Sequence, residues 1–572
     1  MAPQVFNSKN EICQAKPSFP SLWGDMFLYE NTDAGVQVNF DESIAELSEE
    51  VRKMVMAKES KTTDKIVLID NIQRLGLSYH FEKEIEEQLE QIFHESSGSN
   101  FKAMENYDMF NTALLFRLFR QHGHNIPCGV FDKFKHADNK FFTSLESDIK
   151  GLLSFYEATD VRIQGENVLE EAVAFTTCHL NNILTSQADF SVREKVSQTL
   201  EKSIHCGVPI AVARYYIPIY EKEESNDKLL VRLAKLNFRY LQNLYQTELS
   251  HLITWWKDLD MLSKVPYMRD RVVESYFWGV AMDYEPQYSS ARLIVAKSVL
   301  LTTMLDDTYD TYATLEDLEI FTQVLQSGKI NEIDCLPNYF KEIYQFISRI
   351  YEDFDNKHQS KENIMRVLII KKRYLWVPNI PNLTGTYAGS SEVKQLYMAY
   401  HMEANWYRRK RLPAFEDVLS LGVVTSLLFV FATSSFLNGP ATEKDFEWLM
   451  SKPKIAVASA HVGRYWNDQA SYEREYKING ESQTAVDCYM KQYGVLKEEA
   501  LHKFVELAED SWMTVNKEWV ETVSVPRHAL KPILNYSRGV LATYKKEKDG
   551  YTFPEKSLKP LILAVFLDPI II

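Results

Sequence analysis

The sequence predicts an all-α protein. Apolar residues recur at three- and four-residue spacing in 85–93, 113–119, 229–244 and 501–512, alternating strand patterns are scarce, and 20 Gly and 19 Pro among 572 residues leave only short connections. There is no fixed-period repeat and no low-complexity tract. The length exceeds one ordinary core and predicts two helical domains. The polar stretch Glu221-Lys222-Glu223-Glu224-Ser225-Asn226-Asp227 and the helix after it mark the division, placed near residue 240. An N-terminal domain over 1–240 is then structural, and a C-terminal domain over 241–572 holds the motifs.

Composition narrows the functional classes. A net charge of −15 argues against nucleic acid or an anionic membrane as the main partner, so an anionic ligand would have to be received locally. The 31 Phe, 31 Tyr and 10 Trp suggest an interior surface built partly from rings. Six cysteines, at 13, 128, 178, 206, 335 and 488, form no CxxC or zinc spacing, which fits reduced thiols in an intracellular protein. Met1-Ala2-Pro3-Gln4-Val5-Phe6 has neither the apolar core of a signal peptide nor the character of a transit peptide, so the expected location is the cytosol.

Along the second half, each element adds a chemical requirement. Tyr267-Met268-Arg269-Asp270-Arg271 offers guanidinium forks that match phosphate oxygens, as does Arg464; the alternative for each is a surface ion pair. Leu301 to Asp310 is an apolar helical run ending in three carboxylates. At about 100° per residue Asp306 and Asp310 share a face, with Asp307 beside them. Carboxylates beside buried apolar surface need a cation, and no Lys or Arg adjoins them in sequence. A hard metal ion answers this, Mg²⁺ best of all, because it binds through one or two carboxylates, water and substrate phosphates. An exposed helix end is the plainer alternative. Val418 to Leu437 carries no formal charge and has the length of a bilayer span, but Ser420, Thr425, Ser426, Thr433, Ser434 and Ser435 favour a buried, broken helix. In Arg464 to Glu475, Asn467, Ser471 and Glu475 are four apart, drift about 40° per step and form one oxygen-bearing stripe, a second metal site unless it is a solvated face.

With these motifs in order, the chain resembles the plant terpene synthases of class I, and the resemblance covers nearly its whole length. Asp306-Asp307-Thr308-Tyr309-Asp310 resembles the family's DDxxD motif, Asn467 to Glu475 its NSE/DTE motif, and Arg269-Asp270-Arg271 its RxR element. Phe19-Pro20-Ser21-Leu22-Trp23-Gly24-Asp25 is similar to the N-terminal strand that caps the active site; Glu403-Ala404-Asn405-Trp406, Met490 to Gly494 and Asp549-Gly550-Tyr551-Thr552 are further family-like stretches. The resemblance implies a class I terpenoid synthase-like helical bundle behind an α-barrel-like N-terminal domain. It further implies a monomer that acts on an isoprenyl diphosphate with three Mg²⁺ ions, Mn²⁺ being a substitute. Carried over residue by residue, Asp306 and Asp310 hold two ions with Asp307 assisting, Asn467, Ser471 and Glu475 hold the third, and Arg269, Arg271 and Arg464 grip the diphosphate. Trp278, Tyr400, Tyr544 and Tyr551 match positions that line the pocket, although core packing also explains aromatic residues at helical spacing. Thr425 and Ser426 match a helix kink whose carbonyls face the cavity. Asp549 sits on a loop resembling the closing lid, where it takes part in proton transfer or simply forms a turn.

Some positions depart from the family pattern. Lys16-Pro17 stands where an Arg-Pro often does, the paired arginines of many plastidial monoterpene synthases are absent, Ile478 replaces a basic residue with Gly480 one place late, and Arg408-Arg409-Lys410-Arg411 replaces a Glu-Gly-Tyr type of turn. The expected activity is a sesquiterpene synthase using farnesyl diphosphate. Geranyl diphosphate is the second substrate considered, a chain-elongating prenyltransferase the enzymatic rival, and a helical scaffold the non-enzymatic one. A class II cyclase would need a DxDD acid, which the first half lacks.

Overall fold

The computed structural model describes residues 21–28, 40–98, 101–138, 140–327, 330–356, 392–437, 440–479, 484–545 and 549–572. Helices account for nearly all regular structure among them, as the apolar spacing predicts; extended pairing appears as an isolated antiparallel bridge between Lys135 and Phe141. One continuous apolar core runs from Trp23 to Ile570 and joins both halves.

The first half contributes helices such as α1 (Met109–Gln121), capped by the Asp108 carboxylate, which accepts from the Asn111 amide at 2.9 Å. The 32-residue α2 (Lys228–Leu259) starts where Asp227 accepts from the amides of Leu229 and Leu230, and it stops at Asp260, whose φ is 50°. Residue 240 lies inside α2, which pairs with both sides: Tyr240 packs on Phe40, and Glu248 forms an ion pair of 2.6 Å with Arg292. Residue 240 thus lies within one continuous helix.

The second half stacks α3 (Val272–Met282) on α4 (Ser289–Asp307), with α5 (Glu392–Arg408), α6 (Phe415–Thr425), α7 (Leu428–Phe436), α8 (Lys454–Asn479), α9 (Lys497–Glu521) and α10 (Arg527–Tyr544) around them. Among the described residues, 415–436 is the one stretch long and apolar enough to cross a membrane, yet 61% of its most apolar window is buried in the protein. As expected from its Ser and Thr content, it is broken: Leu427 takes a left-handed conformation (φ 69°), and Ser426 Oγ lies 3.4 Å from the Leu428 amide it faces. The described part of the N-terminal segment is a turn over 24–27 and not a strand; Phe19 and Pro20, like Lys16-Pro17, lie outside the described residues. Its Trp23 is buried and donates from Nε1 to Glu274 of α3 at 2.9 Å.

A neutral histidine ties the halves together. Asn516 of α9 donates to the carbonyls of Asp160 and Arg162, so its Oδ1 accepts from His205 Nε2 at 3.0 Å. Gln121 Oε1 accepts from Arg117, which turns its amide nitrogen toward His205 Nδ1. Burial, then the charge of Arg538, holds His205 down to about 3. Between that value and the ordinary 6.5 the unfolded chain binds the proton and the folded one does not, so stability falls as pH falls through this window. Between pH 6.5 and 5 the wild type is expected to lose about 2 kcal/mol more than His205→Gln in denaturant titrations. Parallel losses would mean that this imidazole accepts its proton in place.

Candidate active site

The buried helix α4 delivers Asp306 and Asp307 at its C-terminal end. Immediately afterwards Thr308–Tyr312 widens into a π-turn, in which the Ala313 amide donates to the carbonyl five residues back at 3.2 Å. Thr308 explains the local geometry: its hydroxyl bonds the Met304 carbonyl at 2.6 Å and meets the Tyr267 hydroxyl at 3.0 Å. Regular α-helix thus ends at Asp307, and Asp310, carried on the π-turn, is exposed. Arg408 Nη2 donates to the Tyr309 carbonyl of this turn at 3.4 Å, which gives one member of the basic run a structural contact.

The absence of a basic neighbour in sequence does not hold in space. Arg269 Nη2 lies 2.6 Å from Asp306, its Nε 2.8 Å from Asp307 Oδ1, and its backbone amide donates to Asp307 Oδ2 at 2.8 Å. Asp307 is buried and its carboxyl is pushed up to about 6 by that burial, Arg269 opposing and Asp306 adding to the rise. Burial also opposes the charge of Arg269, but Asp307 and Asp306 outweigh it and hold the guanidinium well above its ordinary value.

Helix α8 supplies the second wall. Arg464 pairs with Asp468 one turn on, Asn467 is half-buried, and Ser471 is buried. Ser471 Oγ has no hydrogen-bond partner among the described residues. Glu475 continues the helix, and its side chain lies outside the described residues, as do that of Ile478 and all of Gly480. Between the walls stand Tyr400 and Glu403 of α5. Glu403 accepts from Thr425 Oγ1 at 3.0 Å and is pushed up to about 7, by burial first, with Arg464 opposing and Asp306 and Asp468 reinforcing. One carboxyl thus feels charges from both walls. Tyr400 is buried near Asp306, Asp310 and Arg464, and those acids add to the burial that raises its hydroxyl.

Residues 549–553 close the circuit by a chain of direct contacts. Arg474 of α8 lies 3.0 Å from Asp549 Oδ2, Asp549 Oδ1 accepts from the Thr552 amide at 3.0 Å, and Arg269 Nη1 donates to Thr552 Oγ1 at 3.4 Å. Arg271 donates to the carbonyls of Tyr551 (3.0 Å), Thr552 (2.9 Å) and Asp270 (2.8 Å), so it fastens this loop. The Tyr551 hydroxyl meets Thr303 at 2.7 Å and Ser275 at 3.3 Å, and burial raises it. Tyr544 neighbours Asp549 and Tyr551, whose charges add to the burial that raises its own hydroxyl. Trp278 is buried beside the rings of Phe431 (5.4 Å) and Tyr536 (5.9 Å). Thr425 ends α6 and Ser426 begins its break.

Sequence reasoning gave no role to Glu403, Arg474, Thr303 or Thr552. Glu403 and Thr552 lay in stretches already singled out; the positions of Thr303, one turn before the acids, and of Arg474, between two glutamates, were the available signals. The donors suit a hard cation. Among the described residues no three His, Cys, Asp or Glu gather into a closed cage. Mg²⁺ needs none, since water and substrate phosphates complete its shell, and the unpartnered Ser471 oxygen is the kind of ligand left over for it.

The description "Terpene synthase, N-terminal domain" matches residues 22–200, and "Terpene synthase family, metal binding domain" matches 257–376 and 384–514. A germacrene A synthase of Pogostemon cablin is 40% identical over 576 residues, covering 100% of both chains. A gamma-curcumene synthase from the same plant is 39% identical over 96% of this chain and 95% of its own. Isoprene synthase from grey poplar, solved with three Mg²⁺ ions and dimethylallyl-S-thiolodiphosphate, superposes with a TM-score of 0.82 at 28% identity, covering 93% of this chain and 98% of that one. Limonene synthase solved with 2-fluorolinalyl diphosphate gives a TM-score of 0.83 at 26% identity, covering 97% and 99%.

Proposed function

The chain belongs to the terpene synthase family and is a sesquiterpene synthase, and from that premise we propose that it ionises farnesyl diphosphate and folds the resulting cation into a cyclic product. The run of contacts Arg474, Asp549, Thr552, Arg269, Asp306 carries this reading, because it ties the two oxygen-bearing walls and the loop between them into one site. Asp306, Asp307 and Asp310 on one wall and Asn467, Ser471 and Glu475 on the other would hold Mg²⁺, three ions in all, with Mn²⁺ as a substitute. Bound there, the metal would neutralise charge on the departing diphosphate.

The remaining work falls to the chain itself. Arg269, Arg271 and Arg464 would present forked donors to the diphosphate oxygens, and Arg271 also keeps the 549–553 loop over the site. Trp278, Tyr400, Tyr544 and Tyr551 offer ring faces that attract a cation by about 0.5–2 kcal/mol each without supplying a nucleophile. We place this chemistry in the second half and a supporting role in the first. A monomer in the cytosol completes the reading, supported there by the free cysteines 128, 178, 206, 335 and 488.

Incubation of purified protein with farnesyl diphosphate and Mg²⁺ under an organic overlay is expected to release a cyclic sesquiterpene, identified by gas chromatography. Product only from geranyl diphosphate would move the substrate to ten carbons. A requirement for added isopentenyl diphosphate would make the enzyme a chain elongator.

A further inference from the structure

The helix break between α6 and α7 is stitched to α10 by a single side chain. Ser426 precedes the left-handed Leu427, and its carbonyl accepts from the Tyr536 hydroxyl at 2.5 Å. The break removes that carbonyl from the regular helical ladder, so a hydroxyl stands where an amide would have been. Two glycines make the arrangement possible. A Cβ on Gly463 would lie 2.3 Å from the Tyr536 hydroxyl, and one on Gly539 would lie 2.5 Å from the Trp278 ring. Neither contact is sterically allowed, so any side chain there would force these rings to move. The rings form a closed set: Tyr536 is 5.9 Å from Trp278 and 5.8 Å from Phe431, which are themselves 5.4 Å apart. Gly463 immediately precedes Arg464. Tyr536 therefore reaches from the ring-lined end of the site to the residue beside a diphosphate-facing arginine.

Resting on the sesquiterpene synthase reading above, we propose that Tyr536 is a specificity-determining residue: it occupies the Ser426 carbonyl and completes a three-ring wall, and so decides which closure of the allylic cation prevails. A free carbonyl oxygen is a negative pole that draws developing positive charge toward it; one that accepts a hydroxyl proton draws it less. Ring faces act on the same charge. Competing ring closures differ by small free energies, so one hydrogen bond is enough to reweight them.

Tyr536→Phe removes the hydroxyl and keeps the ring, and Gly463→Ala pushes the hydroxyl away by adding a methyl group. Each variant and the wild type would be given farnesyl diphosphate and Mg²⁺, with product ratios, total turnover and thermal midpoint all recorded. Total turnover of Tyr536→Phe is expected to stay within roughly threefold while the ratio of principal to minor products shifts by about fivefold, the scale of one hydrogen bond. Gly463→Ala is expected to shift the ratio in the same direction. Unchanged ratios in both variants, with an active wild type, would overturn the proposal, as would a lowered midpoint and turnover with the ratio preserved, which is what simple core packing produces. A wild type that makes nothing from farnesyl diphosphate overturns the underlying reading, and the proposal with it.

Discussion

Replacing Asp306 with Ala is expected to lower kcat/KM for farnesyl diphosphate by about 10²-fold or more, the scale of one major electrostatic element in a charge-separating step. The same substitution should leave the thermal midpoint almost unmoved. Its side chain is 34% exposed, and its pairing with Arg269 is partly solvated, so the lost contact is worth about 1 kcal/mol at most. The effect on turnover is large for a different reason. Asp306 lies at the end of α4 within electrostatic reach of Glu403, which also feels Arg464 and Asp468, so one carboxyl couples it to the second wall. Removing it deletes one oxygen donor and lets Arg269 swing wholly to Asp307. Steady-state kinetics beside a melting curve separates the two outcomes. Near-normal turnover would remove this carboxylate from the mechanism, and a collapse of the midpoint would make it a folding residue.

The helical class was legible because three- and four-residue apolar spacing survives burial, and the break at 426–427 was legible because uncharged Ser and Thr crowd an otherwise apolar run. Local spacing also placed Asn467 and Ser471 on the regular helix α8. It gave no sign of the change in backbone geometry after residue 307, where Thr308–Tyr312 forms a π-turn and Asp310 is exposed. Long-range pairing was equally hidden. Arg269 is 37 residues before Asp306 in sequence yet 2.6 Å from it in space, so the cation beside these acids is invisible among their sequence neighbours. Arg271 was hidden in the same way, since nothing near it in sequence announces that it donates to the carbonyls of Tyr551 and Thr552 as well as to that of Asp270.

Arg269→Ala is expected to damage both stability and turnover, because this guanidinium joins three things at once. It pairs with Asp306, it pairs with the buried Asp307, and it reaches Thr552 on the loop that Asp549 connects to Arg474. Breaking a buried ion pair from one side costs about 3–5 kcal/mol, because the partner charge is left without compensation. Here the discount is modest: the Arg269 and Asp307 side chains are 13% and 10% exposed, and the Arg269 backbone amide continues to donate to Asp307 after substitution. A loss of about 2–3 kcal/mol in denaturant titrations is the expected figure, together with a fall in kcat/KM of at least about 10²-fold. Adding Asp307→Asn to Arg269→Ala should restore part of the stability, since a neutral amide tolerates the site that an unpaired carboxylate does not. It should restore none of the turnover. Arg269→Lys divides the terms further: a point charge keeps much of the pairing, but without the planar fork it cannot span Asp306, Asp307 and Thr552 together. If the double variant were destabilised by the full sum of its single changes, the two residues would not be acting as a pair, and the coupling of acid wall to loop would fail with them.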